Sequence, residues 1–161
     1  LMREIDRLRA ILATPELLMN VIVMELEAIK EKYSDARRTE IVAAEAAARD
    51  PQGAVKLYDG IAADLSLGQD FQDIANLRAA GLLLDKAAYA EIRQRLEAAA
   101  GTGRSFRHSA RELLALSALR GKDSAAAKQW IDAISVDDQT PSSLRQRVEA
   151  LQALLPPAAK G

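Results

Sequence analysis

AVKLYDGIAAD, residues 54–64, places Ala54 four positions before Tyr58, a small residue one helical turn ahead of a large one. The spacing returns at Ala88 and Ile92 and again at Ala126 and Trp130, displaced by 34 and then 38 residues. Between these segments Phe71 and Ala75 match Phe106 and Ala110 at an offset of 35. A small residue lets a neighbouring helix approach, and the large one fills the groove beside it. Two short helices cannot bury their apolar faces alone. A period near 34 residues therefore predicts antiparallel helical hairpins stacked as a solenoid with a concave surface.

The punctuation between these segments agrees. Helix breaks are expected at Asp50-Pro51, Ser66-Leu67-Gly68, Asp85-Lys86, Gly101-Thr102-Gly103, Gly121-Lys122-Asp123 and from Asp137 to Pro141. Ser105 is expected to cap the helix that follows it. The last helix should start near Pro141 with Thr140 as its cap and stop before Pro156-Pro157, leaving 156–161 as a flexible tail.

Composition bounds the class. The chain has 161 residues, 22 Lys and Arg against 23 Asp and Glu, one His, no Cys, and only 4% aromatics. Ala, Leu, Glu, Arg and Gln dominate, so the fold class is all-α. Near-neutral charge and a pI near 5.9 argue against a nucleic-acid binder. Lack of Cys removes disulfides, thiolate nucleophiles and cysteine zinc sites, and a lone His removes any site needing two imidazoles. The longest apolar runs, Leu17 to Met24 and Ala79 to Leu84, fall far short of the roughly 20 residues of a membrane span. Leu1 to Leu12 is too charged for a signal peptide, so the chain as given reads as soluble.

The first 41 residues follow a different pattern. Ile5, Leu8 and Leu12 form one amphipathic stripe, interrupted at Thr14-Pro15, where Thr14 suits a cap and Pro15 a first helical turn. A second stripe, Leu18, Ile22, Leu26, Ile29 and Tyr33, has coiled-coil spacing, widened by Val21 and Met24, with Glu27 and Lys30 a turn apart outside it. Tyr33-Ser34-Asp35 reads as the end of this helix, although no Pro or Gly forbids continuation to Ala48. Leu18, Ile22, Leu26 and Ile29 need burial by something, and pairing of two chains into a homodimer is favoured. Leu1 begins in mid-pattern, as in a piece cut from something longer.

The stretch EIDRLRAILATPELLMNVIVMELEAIKEKYSDARRTEI, Glu4 to Ile41, closely resembles the C-terminal arm of the coiled coil in the DNA gyrase A protein. The shared features are Ile11-Leu12 with Pro15, Val21-Ile22 with Glu25-Leu26, and Lys32-Tyr33 with Asp35 to Ile41. Gyrase activity does not carry over, because its cleaving Tyr is preceded by an Arg and Tyr33 is not. Residues 42–155 resemble the C-terminal domain of a bacterial membrane-anchored tetratricopeptide-like family, the YfgM-type ancillary subunits of the Sec translocon. AVKLYDGIAAD, DIANLRAAGLLLD (73–85), FRHSARELLALSALRGKD (106–123) and AKQWIDAI (127–134) carry that likeness. Together the two pieces read as an engineered chimera: residues 1–41 gyrase-like helices from a cytoplasmic protein, residues 42–155 a repeat domain from an inner-membrane, periplasm-facing parent. The resemblance implies a non-catalytic interaction module that assists protein export or periplasmic chaperone traffic. The competing reading is a structural coiled-coil fragment of gyrase.

His108, Arg107, Arg111 and Glu112 suggest acid–base chemistry, but no nucleophile or ligand set accompanies them, and His108 reads as a capping or packing residue. Gly101-Thr102-Gly103-Arg104-Ser105 lacks the strand and Lys of a phosphate loop and reads as a turn. Arg37-Arg38, Arg145 and Arg147 are interspersed with acids and read as solvated. Tyr58, Phe71, Tyr89, Phe106 and Trp130 read as core. A partner groove, if present, is expected to use Asp73, Asn76, Arg93 and Gln94 to hold a protein or peptide ligand. No catalytic residue, cofactor, metal or small-molecule substrate is expected.

Overall fold

The computed structural model describes residues 15–156, with side chains from Met19 onward. The first stripe, at Ile5, Leu8 and Leu12, the expected cap Thr14 and the tail beyond Pro156 lie outside the described residues. Within them the protein is all-α, with seven helices and no strand: α1 Pro15–Ala46, α2 Pro51–Ala63, α3 Gln69–Leu83, α4 Tyr89–Leu96, α5 Arg107–Arg120, α6 Ser124–Ser135 and α7 Ser142–Ala153. No described helix is long and apolar enough to cross a membrane. The chain divides into two compact units, residues 1–39 and 40–161.

In the first unit, the helix starting at Pro15 does not end at Tyr33-Ser34-Asp35, and α1 runs on to Ala46. The polar residues that suggest a stop bond back into the helix. Ser34 Oγ donates to the Lys30 carbonyl at 2.8 Å and Thr39 Oγ1 to the Asp35 carbonyl at 3.0 Å. Arg38 donates to Asp35 at 2.9 Å, one turn away. Such residues end helices only when their side chains compete for the backbone outside the helical pattern.

In the second unit every break expected from the punctuation is present. Asp50 caps α2 by accepting from the Gly53 N–H, and Asp123 caps α6 by accepting from the Ala126 N–H, both at 2.9 Å. Two expected caps are not used. Thr140 Oγ1 instead donates to the Ile134 carbonyl at 2.8 Å, and Pro141 stands at the α7 N-cap. Phe106, not Ser105, precedes α5, with no side-chain cap.

From α2 to α7 successive helices pack on one another, and α3 also reaches α5. The small-to-large pattern is present with a shifted register. Ala54 and Tyr58 are buried as expected, and so is Ile92, but its small partner is Ala87 while Ala88 is exposed. In α6 the buried pair is Ala127 and Ile131, one residue after Ala126 and Trp130. The 38-residue second interval places that pair one residue early.

Alanines at the contacts let helix axes approach, and a few large side chains fill the space. Leu77, Ala80, Ile92, Leu96, Ala110 and Leu114 form one cluster between α3, α4 and α5. Ala115, Ile131, Ile134, Leu144, Val148 and Leu151 form a second between α5, α6 and α7. Trp130 packs against both, and its indole N–H donates to Tyr89 Oη at 2.8 Å. Each fully buried Leu or Ile contributes about 1.5–3 kcal/mol.

Candidate partner-binding site

Helices α2, α3 and α4 bound a polar cleft of about 450 Å³, lined by Asp59, Asn76, Glu91, Gln94 and Arg95. Two of the four groove residues read from sequence, Asn76 and Gln94, are brought together there. Neither side-chain amide has a hydrogen-bond partner among the described residues. Each offers a carbonyl acceptor and an NH₂ donor, the pair of functions a peptide backbone presents in reverse.

The other two lie elsewhere. Asp73 is buried, and its carboxylate receives the Arg104 guanidinium in a two-bond clasp, with Nε at 2.9 Å. The α3 spacing explains this: Asp73 lies one and two turns before Leu77 and Ala80, so it belongs to the core face. Arg93 is exposed outside the cleft, 2.7 Å from Glu97 one turn on, and that bond raises its pKa.

Three lining residues, Asp59, Glu91 and Arg95, are missed by sequence reasoning. Arg95 clasps both Asp59 carboxylate oxygens, 36 positions earlier, and sits 3.8 Å from Glu91. The bond to Asp59 raises the Arg95 pKa most, against the opposing cost of its burial. The only sequence signal is the one-turn spacing of Glu91 and Arg95, common on any solvated helix. With two carboxylates and one guanidinium, the lining carries a net charge of −1. It can accept hydrogen bonds from a peptide and favours a basic over an acidic side chain.

A second recess, about 580 Å³, lies where α5, α6 and the turn after α6 meet, and includes Thr102, Arg107, Arg111, Asp137 and Gln139. Its centre is one carboxylate. Asp137 accepts from Arg107 at 2.7 and 3.2 Å and from Arg111 at 2.9 Å. His108 Nε2 stands 3.2 Å from the same oxygen that Arg111 uses, without the angle of a hydrogen bond. Arg107, then the Gln139 N–H and Arg111, hold the Asp137 carboxyl well below the ordinary carboxylate range, although burial opposes the shift.

Arg111 also donates to the Ala100 and Ala133 carbonyls, and Arg145 to those of Asp137, Asp138 and Thr140. The His108 cluster thus ties the turn after α6 to α5 and α7. Gly103 in the adjoining turn has φ +82°, a conformation glycine adopts without strain. Arg147 is bound to Glu112, at 2.6 and 2.9 Å. Tyr58 is buried, while Tyr89, Phe106 and Trp130 are half-buried against the core. No group of three or more metal-ligating acids or imidazoles occurs among the described residues.

In the first unit Ile22, Leu26 and Ile29 of the expected dimerisation stripe are 42%, 59% and 51% exposed, and Met19 and Val23 beside them are also open to water. Leu18 lies on α1, but its side chain is outside those described. Comparison with known protein families, with curated proteins and with solved structures found no match for this chain.

Proposed function

We propose that residues 42–155 act as a non-catalytic partner-binding module, a tetratricopeptide-like stack of helical hairpins that receives an extended segment or helix of another protein. The observation that carries the reading is the pair of free carboxamides, Asn76 and Gln94, facing one cleft from successive helices. Affinity in such a module comes from pooled contacts along a groove. From the sequence resemblance we place the partner among bacterial envelope proteins, at or near the Sec translocon, with a role in export or chaperone traffic. We also assign the exposed α1 stripe to self-association of the chain.

The test is affinity capture from bacterial envelope extracts with the native chain and with an Asn76→Ala/Gln94→Ala variant, captured proteins being identified by mass spectrometry. The expected result is a translocon-associated protein retained by the native chain and lost by the variant at unchanged melting temperature. Capture that is indifferent to the variant, or recovery of gyrase subunits or DNA instead, contradicts the reading.

A further inference from the structure

Self-association through α1 has a further consequence in the order of the residues along the stripe. Set Met19 at position a of a heptad, and Ile22 falls at d, Leu26 at a and Ile29 at d. All four are exposed within the single chain, as is every residue from Met19 to Glu31, so the heptad spacing, not burial, picks out the seam. Tyr33 and Ala36, the next a and d residues, are half-buried and buried, so the open seam stops after Ile29.

A seam with a 3.5-residue period needs a partner helix of the same period, and a second copy of α1 supplies one in register. Residue types then set the number of copies. Leu at a with Ile at d disfavours two-stranded packing, because β-branched side chains at d meet the facing helix badly in a dimer and fit in trimers and tetramers. Here Leu26 is at a, and Ile22 and Ile29 are at d. Val23 at e, 44% exposed, points the same way. A two-chain seam covers a and d only, whereas three or four chains bring e toward the core.

Charge sets the direction. In a parallel assembly Glu25 at g lies against Lys30 at e of the neighbouring chain, an attractive pair repeated at every interface. In an antiparallel pair centred on Met24, Glu25 meets Glu25 of the other chain. Lys32 and Arg37, which would repel at the next parallel interface, lie beyond the open seam and already have interactions within the chain.

We infer that α1 joins this protein into a parallel bundle of three or four chains, through Met19, Ile22, Leu26 and Ile29, in place of the homodimer through Leu18, Ile22, Leu26 and Ile29 expected from the sequence. The inference rests on the self-association assigned above, and the experiment separates the two. Sedimentation equilibrium of the full chain should give three or four times the 17.4 kDa chain mass. Exchanging the branching, with Ile22→Leu, Leu26→Ile and Ile29→Leu together, should reduce the mass to twice that of the chain. Leu26→Asp should give a monomer with helical content and melting of the second unit retained.

A native mass of two chains overturns the bundle while self-association stands, and a monomer overturns both. An exchange variant that keeps the native mass overturns the assigned seam. Glu25→Gln tests direction: it should weaken association several-fold, and strengthening, as expected from relieving a Glu25–Glu25 contact, overturns the parallel arrangement.

Discussion

Ser117 sits on α5 at 0% exposure, and its hydroxyl has no hydrogen-bond partner. A buried hydroxyl without a partner costs about 1–3 kcal/mol, and its removal leaves a void of one atom only. Ser117→Ala should therefore raise stability by about 1 kcal/mol in urea unfolding, and a loss of stability would contradict the unpaired hydroxyl. Asp137 shows the opposite case, a carboxylate held charged by Arg107 and Arg111. Because its folded pKa is depressed, its stabilisation is present above the unfolded value of about 3.9 and is lost as pH falls through and below it. Asp137→Asn should be less stable than the native chain at neutral pH, and the gap should narrow steadily as pH falls below about 4. A gap independent of pH would rule out this role. Asp73, paired with Arg104 beneath the surface, should cost about 3 kcal/mol when changed to Ala, the order expected for breaking a buried ion pair. Urea unfolding measures it, and a loss well under 1 kcal/mol would mean the pair behaves as a solvated one.

Among the elements, the turn after α5 shows what a sequence can and cannot disclose. Gly121-Lys122-Asp123 marks a helix stop in any reading, but glycine is expected at the left-handed position, and Lys122 occupies it with φ 60°. The Lys122 N–H reaches the Leu119 carbonyl at 3.0 Å and the Asp123 N–H the Ala118 carbonyl at 2.9 Å, a Schellman end. Gly121 stands one residue too early to relieve the strain. Lys122→Gly should accordingly raise stability by about 1 kcal/mol, the cost of a left-handed non-glycine residue, and an unchanged melting point would count against it. Helix identity and breaks are legible because they rest on local chemistry: Asp50 before Pro51, Gly68, Asp123. Ala88 and Trp130 fall one residue off the buried register, because which side of an alanine-rich helix is buried depends on its neighbours. The end of α1 is not legible, because Ser34 and Asp35 look like terminators unless their bonds back along the helix are seen.

At the scale of the whole molecule the same limit governs the candidate site. Asn76 and Gln94 stand out in the sequence as polar positions off the core stripe, and they share a cleft. Asp59 and Arg95, 36 residues apart, do not, since nothing local tells that α2 and α4 bring them together. Asp73 reads as a groove residue by its polarity, although its spacing to Leu77 and Ala80 already marks the core side. The two units divide the work on this account: residues 40–161 hold the core clusters and the cleft, and residues 1–39 carry an apolar stripe. The most direct test is thermal unfolding with light scattering on the full chain and on one beginning at Glu40. The shorter chain should be a monomer with a cooperative transition, while the full chain should have a multiple of its mass. A shorter chain without a cooperative transition, or one with the same association state as the full chain, would contradict this division.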